Sequence, residues 1–248
     1  MPPPSSLRES SSAVTPRILI AEDDAAVAKL WRDFLVRRGM QVQAVASAEE
    51  AQGELCATSF DLVVLDLRLQ GRMDGLALLA AMGARALPAV ILVSAYLTDE
   101  VAVLAVRLGV ARVLGKPCRA DDLYLSIRWI LLPAPQRSPV AFLRSEFGLV
   151  RCLAHLSRIL EQHPRTLTRH IEAQTGHTFH RLLSELRMEE AERLLLETGL
   201  TTSRIAARLH ISRRSLERAL KGRAGATPQQ YRRRARGGVP GPPLAEDP

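Results

Sequence analysis

The stretch Leu62-Val63-Val64-Leu65-Asp66 (LVVLD) constrains the fold more than any other part of the sequence. Its unbroken apolar run is typical of a strand buried on both faces, and an acidic residue stands where that strand must end. Helical patterns such as Ala25–Arg38 separate it from further short apolar runs, at Arg17–Ala21, Val42–Val45, Ala89–Ser94 and Ala111–Leu114. Strands that alternate with helices in this way predict an α/β, doubly wound, five-stranded parallel sheet.

Proline-rich segments divide the chain into parts. The segment PAPQRSP at residues 133–139 contains three prolines, which disfavour a helix and indicate a linker between two domains. Both ends of the chain are rich in Pro, Ser or Gly and are predicted to be disordered. The predicted organisation is a tail (1–16), an α/β domain (17–132), a linker (133–144), an all-α domain (145–236) and a second tail (237–248).

The net charge of +8 is confined to the second half of the chain. Residues 17–132 hold 13 basic and 14 acidic residues, whereas residues 140–248 hold 19 and 11. This asymmetry predicts a polyanionic partner for the second half alone. The chain lacks an apolar run near the ~20 residues that a membrane span needs, and its first residues do not resemble a signal peptide. We therefore expect a cytoplasmic protein without a membrane partner.

Charged and hydroxyl residues stand where the predicted strands end. Glu22, Asp23 and Asp24 follow the first run, Asp66 ends the third, Ser94 ends the fourth and Lys116 follows the fifth. The ends of parallel strands converge on one edge of the sheet, where such carboxylates would repel each other unless they bind a cation, most plausibly Mg²⁺. With a lysine and a hydroxyl added, the set suits a phosphoryl group. The alternative is that strand-end acids only cap the next helix, which is equally plausible for Asp24.

Taken together, the motifs ILIAEDD, LVVLDLRL, MDG, VSA and GKP resemble the receiver domain of two-component response regulators over residues 17–132. The resemblance implies a flavodoxin-like receiver fold, a bound Mg²⁺ and a sensor histidine kinase as partner. By position it implies that Asp66 is the phosphoacceptor and that Asp23, Asp66 and the backbone carbonyl of Arg68 bind the metal, with Glu22 acting through metal-bound water. Ser94 and Lys116, which precedes a usually cis Pro117, would contact the phosphoryl group.

Two departures from the family pattern concern signalling. Gln70 stands where a proline is usual, in a loop to Asp74–Gly75 that is one residue longer, and Val113 replaces the family's switch aromatic. The usual coupling of hydroxyl and aromatic therefore cannot operate in its common form. This leaves open a receiver that serves only as a phosphorylation-independent dimerisation module. An enzyme is not expected, because a dehalogenase-like phosphatase would need a second acid where Arg68 stands.

The basic half contains an internal repeat at an offset of 49 residues. Arg165, Leu167, Arg169, Gly176 and Thr178 recur as Arg214, Leu216, Arg218, Gly225 and Thr227. Leu167 and Ile171 are four residues apart and face one side of a helix, so Arg165, Thr168, Arg169 and Glu172 face outward. A shorter helix, such as Ile205–Leu209, precedes each copy. A short helix, a turn and a basic helix are typical of a helix-turn-helix, although a merely solvated basic face is the alternative.

This half resembles the DNA-binding domain of the AraC family over residues 145–234, most closely in IAARLHISRRSLERALKGRAGATPQQYRRR. A Gly-aromatic pair usual in the second turn is His210–Ile211 here. The resemblance implies binding of double-stranded DNA at two groove sites about one turn, or ~10 bp, apart, and a homodimer is expected on phosphorylation. The predicted contacts are Arg165, Thr168 and Arg169 in one groove, Arg213, Arg214, Ser215 and Arg218 in the next, and Arg232, with Arg233, Arg234 and Arg236, on the DNA backbone.

Overall fold

A computed structural model describes residues 15–83 and 88–235. The chain divides into two compact units, with the boundary between Leu131 and Leu132. The second predicted tail and almost all of the first lie outside the described residues. Across the described part of the chain, no helix combines the length and apolar character needed to cross a bilayer.

The first unit is a five-stranded parallel sheet in the order β2-β1-β3-β4-β5, which confirms the predicted fold class. The strands are β1 (Arg17–Ala21), β2 (Gln41–Val45), β3 (Leu62–Asp66), β4 (Ala89–Ser94) and β5 (Arg112–Gly115). The helices are α1 (Ala25–Val36), α2 (Ala48–Ala57), α3 (Gly75–Met82), α4 (Asp99–Arg107) and α5 (Ala120–Leu131). The strand order reverses between β1 and β3, so the crevice at their carboxyl ends is where a ligand is expected.

Burial explains why the apolar runs form the centre of this sheet. All five residues of β3 are buried, as are the last four of β1, because helices cover both faces. Trp31 of α1 is buried, and its indole N–H donates to the carbonyl of Cys118 at 3.3 Å, which ties α1 to the loop after β5. Asp24 is the N-cap of α1 and accepts from the N–H groups of Ala26 and Val27. Its side chain is therefore used in capping, in line with the alternative considered for it.

Gly75, at the start of α3, lies against the end of β3. A Cβ atom at this position would lie 2.4 Å from the backbone oxygen of Asp66, so a side chain would push the strand end away. We expect Gly75→Ala to lower the free energy of unfolding by about 1–3 kcal/mol. Gly53→Ala in α2 is the control: its Cβ would meet nothing within 4 Å, and helix propensity predicts a gain of about 0.5–1 kcal/mol.

Urea unfolding followed by tryptophan fluorescence measures both variants, since Trp31 and Trp129 lie in the first unit. Equal stability changes in the two alanine variants would contradict the close approach at Gly75.

The second unit is all α-helical. Its helices are α6 (Pro139–Glu146), α7 (Leu153–Leu160), α8 (Pro164–Thr175), α9 (Phe179–Glu197), α10 (Thr202–Arg208), α11 (Arg213–Ala224) and α12 (Pro228–Ala235). The helices α7 and α10, α8 and α11, and α9 and α12 begin at residues 153 and 202, 164 and 213, and 179 and 228, each pair 49 residues apart. The structure thus contains two copies of one helical unit, as the sequence repeat predicted.

The two copies share their turns as well as their core. Leu167 and Ile171 are fully buried, and so are their counterparts Leu216 and Leu220. Gly176 and Gly225 end α8 and α11 with φ of 70° and 60°, a left-handed conformation that glycine adopts at little cost. The turn before each basic helix also contains a left-handed residue, Glu161 with φ 51° and His210 with φ 53°. His210 thus has the left-handed conformation that glycine adopts at little cost, at the position where the resemblance places a glycine.

The segment predicted as a linker is largely structured. A 3-10 turn covers Ala134–Gln136, and α6 begins at Pro139, inside the predicted range 133–144. Proline is tolerated at the first position of a helix because its missing N–H would be unpaired there in any case. The hydroxyl of Ser138 caps the helix by accepting from the N–H of Ala141 at 3.3 Å. The prolines thus start a helix that the sequence interpretation had placed in the linker.

Candidate acidic pocket and nucleic-acid interface

Three carboxylates meet at the carboxyl ends of β1 and β3. Glu22, Asp23 and Asp66 each place one oxygen within 4.8 Å of the others. Glu22 and Asp66 are 2% and 5% exposed, while Asp23 is half-buried. The N–H of Glu22 donates to the carbonyl of Val45 at 3.1 Å, which continues the pairing of β1 with β2 beyond the strand end. The predicted cluster is therefore real, and most of its charge is removed from water.

Lys116 supplies the opposite charge. Its ammonium donates to Asp66 Oδ2 at 2.7 Å and to Glu22 Oε1 at 2.9 Å. Burial by itself would lower the pKa of Lys116, but the hydrogen bonds to Asp66 and Glu22 outweigh it and the pKa is raised. The peptide bond from Lys116 to Pro117 is cis, as the family resemblance implied. The charged Lys116 side chain therefore contacts Asp66, the candidate phosphoacceptor.

Glu22 is buried and only partly neutralised by Lys116. Burial raises its pKa, the hydrogen bond from Lys116 opposes this rise, and the negative charge of Asp66 adds to it. Glu22 Oε2 lies 2.7 Å from Lys116 Nζ but accepts no well-formed hydrogen bond from the described residues. A buried, incompletely paired oxygen beside two more carboxylates is a donor set that fits a hard divalent cation.

Ser94, at the end of β4, is bonded to Tyr96 in the loop that follows. Ser94 is 1% exposed and ends β4, beside the end of β3. Its hydroxyl accepts from the N–H of Tyr96 at 3.0 Å and donates to the Tyr96 carbonyl at 3.2 Å. The guanidinium of Arg68 lies 4.2 Å above the centre of the Tyr96 ring. The sequence interpretation missed Tyr96, although an aromatic residue two positions after a strand-end hydroxyl was a visible signal.

In the second unit, a basic groove of about 580 Å³ runs along α11. Four of its five charged lining side chains are basic. It is lined by Arg213, Arg214, Glu217, Arg218 and Lys221 of α11, with Thr202, Thr227, Pro228 and Gln229 at the starts of α10 and α12. The starts of two helices and an excess of arginine make this groove electropositive, which suits a phosphate backbone.

The arginines of this unit fall into two groups. Most of those on α9 and several others are paired within the unit: Arg181 with Glu185, Arg193 with Glu190 and Glu197, Arg213 with Glu217, and Arg223 with Glu192. By contrast, eight exposed guanidinium groups make no ion pair or hydrogen bond with the described residues: Arg165 and Arg169 on α8, Arg214 and Arg218 on α11, and Arg144, Arg208, Arg233 and Arg234 on α6, α10 and α12. Four of these eight groups lie on the two predicted reading helices, two on each.

Comparison with known families agrees with both halves. Residues 18–128 match the model of the response regulator receiver domain, and residues 156–209 match that of a helix-turn-helix domain. The first unit is a response-regulator receiver domain, and the second contains a helix-turn-helix domain.

Relatives with a receiver domain or a regulatory role share part of this chain. The alginate biosynthesis transcriptional regulatory protein AlgB of Pseudomonas aeruginosa is 37% identical over 119 residues, which cover 48% of this chain and 26% of that protein. Regulatory protein VirG of Agrobacterium fabrum is 31% identical over 119 residues, covering 48% of this chain and 47% of that protein. A CheY-like receiver domain protein from Methanospirillum hungatei has a solved structure with 30% identity and a TM-score of 0.44, covering 46% of this chain and 91% of that one. The matched segments span under half the length of either curated relative.

Within the second unit, Arg232 differs from the role predicted for it. Its guanidinium donates to the carbonyls of Leu195 at 2.9 Å and Leu200 at 2.7 Å, which holds α12 against the end of α9. The Arg232 side chain therefore joins two helices and is not counted among the candidate DNA contacts. Thr168 and Ser215 also have local partners, since the Thr168 hydroxyl donates to the Pro164 carbonyl and the Ser215 hydroxyl bonds that of Ser212. A hydroxyl can exchange such partners more readily than a two-point guanidinium clamp.

Proposed function

We propose that this protein is a sequence-specific DNA-binding response regulator, controlled by phosphorylation of Asp66 by a sensor histidine kinase. The observation that carries the receiver half of the proposal is the placement of Lys116 Nζ at 2.7 Å from Asp66 Oδ2, next to Glu22 and Asp23. The unpaired arginines on α8 and α11 support the DNA-binding half. Because the proposed partner is DNA, the proposed place of action is the cytoplasm.

The pocket can support phosphoryl transfer to Asp66. An Asp66 oxygen attacks phosphorus, and the bond from phosphorus to the donor breaks: the P–N bond of a phosphohistidine, or the P–O bond of acetyl phosphate. The Lys116 ammonium then neutralises a phosphoryl oxygen, and the Ser94 hydroxyl donates to another. Mg²⁺, held by Asp23, Asp66 and the Arg68 carbonyl with Glu22 acting through water, would offset the remaining charge.

On the DNA side, α8 and α11 are proposed to read successive major grooves about 10 bp apart. Arg165, Thr168 and Arg169 would face one groove, and Arg213, Arg214, Ser215 and Arg218 the next. Arginine contacts to guanine would provide base specificity. Lys221 and the helix starts at Thr202 and Gln229 would hold the phosphates beside α11. A homodimer would place four such helices on repeated sites.

The phosphoacceptor is tested by intact mass after incubation with acetyl phosphate and Mg²⁺. The wild type is expected to gain one phosphoryl group, whereas Asp66→Ala and the more conservative Asp66→Asn are expected to gain none. A gain that persists in both variants would contradict the assignment of Asp66.

A second candidate function is a DNA-binding regulator whose receiver is a phosphorylation-independent dimerisation module, which Val113 and Gln70 favour. Gel shifts on duplexes selected from a random-sequence library distinguish the two. Phosphorylation control predicts that acetyl phosphate tightens binding of the wild type but not of Asp66→Ala. Equal binding by the two proteins, with and without acetyl phosphate, would favour the dimerisation module.

A further inference from the structure

The position of the family's switch aromatic provides no relay in this chain. Val113 is partly buried and packs against the apolar core of the receiver domain. A different aromatic side chain, Tyr96, stands two residues after Ser94 in the chain, with 60% of its surface exposed. It lies in the loop between β4, which ends at Ser94, and α4, which begins at Asp99.

Tyr96 is tied to both loops that flank Asp66. From β4, the Ser94 hydroxyl bonds both the N–H and the carbonyl of Tyr96, at 3.0 and 3.2 Å. From β3, the Arg68 guanidinium covers the Tyr96 ring at 4.2 Å. The N–H of Arg68 in turn donates to Asp66 Oδ1 at 3.1 Å. Tyr96 is therefore connected to the surroundings of Asp66 through Ser94 on one side and through Arg68 on the other.

A phosphoryl group on Asp66 would compete for two of these links. The Ser94 hydroxyl has a single proton, so donating it to a phosphoryl oxygen releases the Tyr96 carbonyl. A guanidinium over an exposed ring is weakly held, whereas its charge-assisted hydrogen bond to a phosphoryl oxygen is roughly twice as strong as a neutral one. Both exchanges favour the phosphoryl group and leave Tyr96 attached to Ser94 through its N–H alone.

The element that follows Tyr96 is weakly anchored. Of the nine residues of α4, only Ala105 is buried, and Val103, Leu104 and Val106 are exposed. Thr98, two residues after Tyr96 in the chain, caps this helix. Its hydroxyl accepts a hydrogen bond from the N–H of Val101. A helix with so little buried surface responds to a change at its start more readily than a well-packed one.

We propose that Arg68 and Tyr96 form a phosphoryl-responsive latch that takes the place of the missing aromatic at Val113. In the unphosphorylated protein the latch is closed, with Arg68 on the ring and the Ser94 proton on the Tyr96 carbonyl. Phosphorylation of Asp66 opens it and changes the start of α4. Tyr96 is a relay residue here, and the inference rests on the proposed phosphorylation of Asp66.

Hydrogen exchange on the full-length protein tests the latch. Each sample is incubated with or without acetyl phosphate and Mg²⁺; intact mass measures phosphorylation and peptide mass spectrometry measures exchange in residues 96–107. Loss of the ring contact corresponds to about a two- to fivefold change in exchange rate on phosphorylation of the wild type. Tyr96→Phe keeps the ring and is expected to respond like the wild type. Val106→Ala, an exposed change on the same helix, is the matched control and is also expected to respond.

Tyr96→Ala is expected to be phosphorylated but to show raised exchange before phosphorylation and almost no further change after it. Arg68→Met keeps the backbone carbonyl and is expected to lose the response in the same way. A wild-type response in phosphorylated Tyr96→Ala, or loss of the response in Val106→Ala as well, would overturn the latch alone. Failure of the wild type to gain a phosphoryl group would overturn the proposed function and the latch with it.

Discussion

Replacing Lys116 with methionine is expected to lower the free energy of unfolding of the receiver domain by roughly 2–3 kcal/mol at neutral pH. The Lys116 ammonium is the cation that contacts both Glu22 and Asp66, whose side chains are 0% and 7% exposed. Methionine has a similar length, so the packing of the side chain is largely kept. What is lost is the compensation of two buried negative charges, and removing one partner of a buried pair costs more than the pair itself contributes.

The loss of stability in Lys116→Met should depend on pH in a defined direction. Burial already raises the pKa of Glu22 above its ordinary value of 4.5, and removal of Lys116 raises it further. A carboxyl whose pKa is higher in the folded than in the unfolded state favours folding when it is protonated. Stability is therefore lost as the pH rises from the unfolded-state pKa through the folded-state pKa. The variant should therefore be close to wild type in mild acid and show its full deficit near neutrality.

Mg²⁺ should restore much of the loss at neutral pH, since a cation in the carboxylate cluster replaces the missing charge. Binding to the folded state alone at a hundred times the dissociation constant stabilises by about 2.7 kcal/mol. Lys29→Met is the matched control, because Lys29 forms an exposed pair with Asp33 on α1, and surface pairs contribute about 0–1 kcal/mol. Urea unfolding with EDTA or with Mg²⁺ measures both, and an equal deficit in Lys29→Met would refute the special role of Lys116.

Replacing Arg218 with alanine is expected to weaken binding to a selected DNA duplex by about 10- to 100-fold, and Arg214→Ala by a similar factor. Both side chains are exposed on α11, line the basic groove and have no partner among the described residues. Their guanidinium groups are thus available without breaking an existing ion pair. Because the two residues are four apart on one helix, the double variant need not show the product of the single effects.

Arg193→Ala provides the control, since it removes the same charge from a side chain already paired with Glu190 and Glu197 on α9. It should weaken binding by no more than about threefold. Titrations at several salt concentrations separate the roles: a phosphate contact lowers the salt slope by about one, whereas a base contact relaxes sequence preference at one position. Equal losses in Arg193→Ala and Arg218→Ala would mean that net charge alone drives binding.

Much of the receiver pocket could be predicted from the sequence, because each of its residues stands at or just after the end of an apolar run that forms a strand. A strand buried on both faces is written as an unbroken apolar run, and the residue after the run must lie at the sheet edge. Glu22, Asp66 and Lys116 could therefore be placed together before any coordinates. The two helical copies could be predicted as well, because residues 49 apart in the sequence occupy corresponding positions. The left-handed residues Glu161 and His210 are one such pair.

Side-chain partners across separate elements depended on the tertiary structure. Arg232 was expected on DNA, but its guanidinium holds two carbonyls from 32 and 37 residues away. The contact of Arg68 with Tyr96 joins the loop after β3 to the loop after β4, and no repeat or spacing in the sequence indicates that these two residues meet. The motifs alone thus determined a receiver sheet with an acidic edge and a doubled basic helical unit. Only the packing decided which arginines are paired and which are free, because a guanidinium can reach several partners and its choice depends on neighbours distant in sequence.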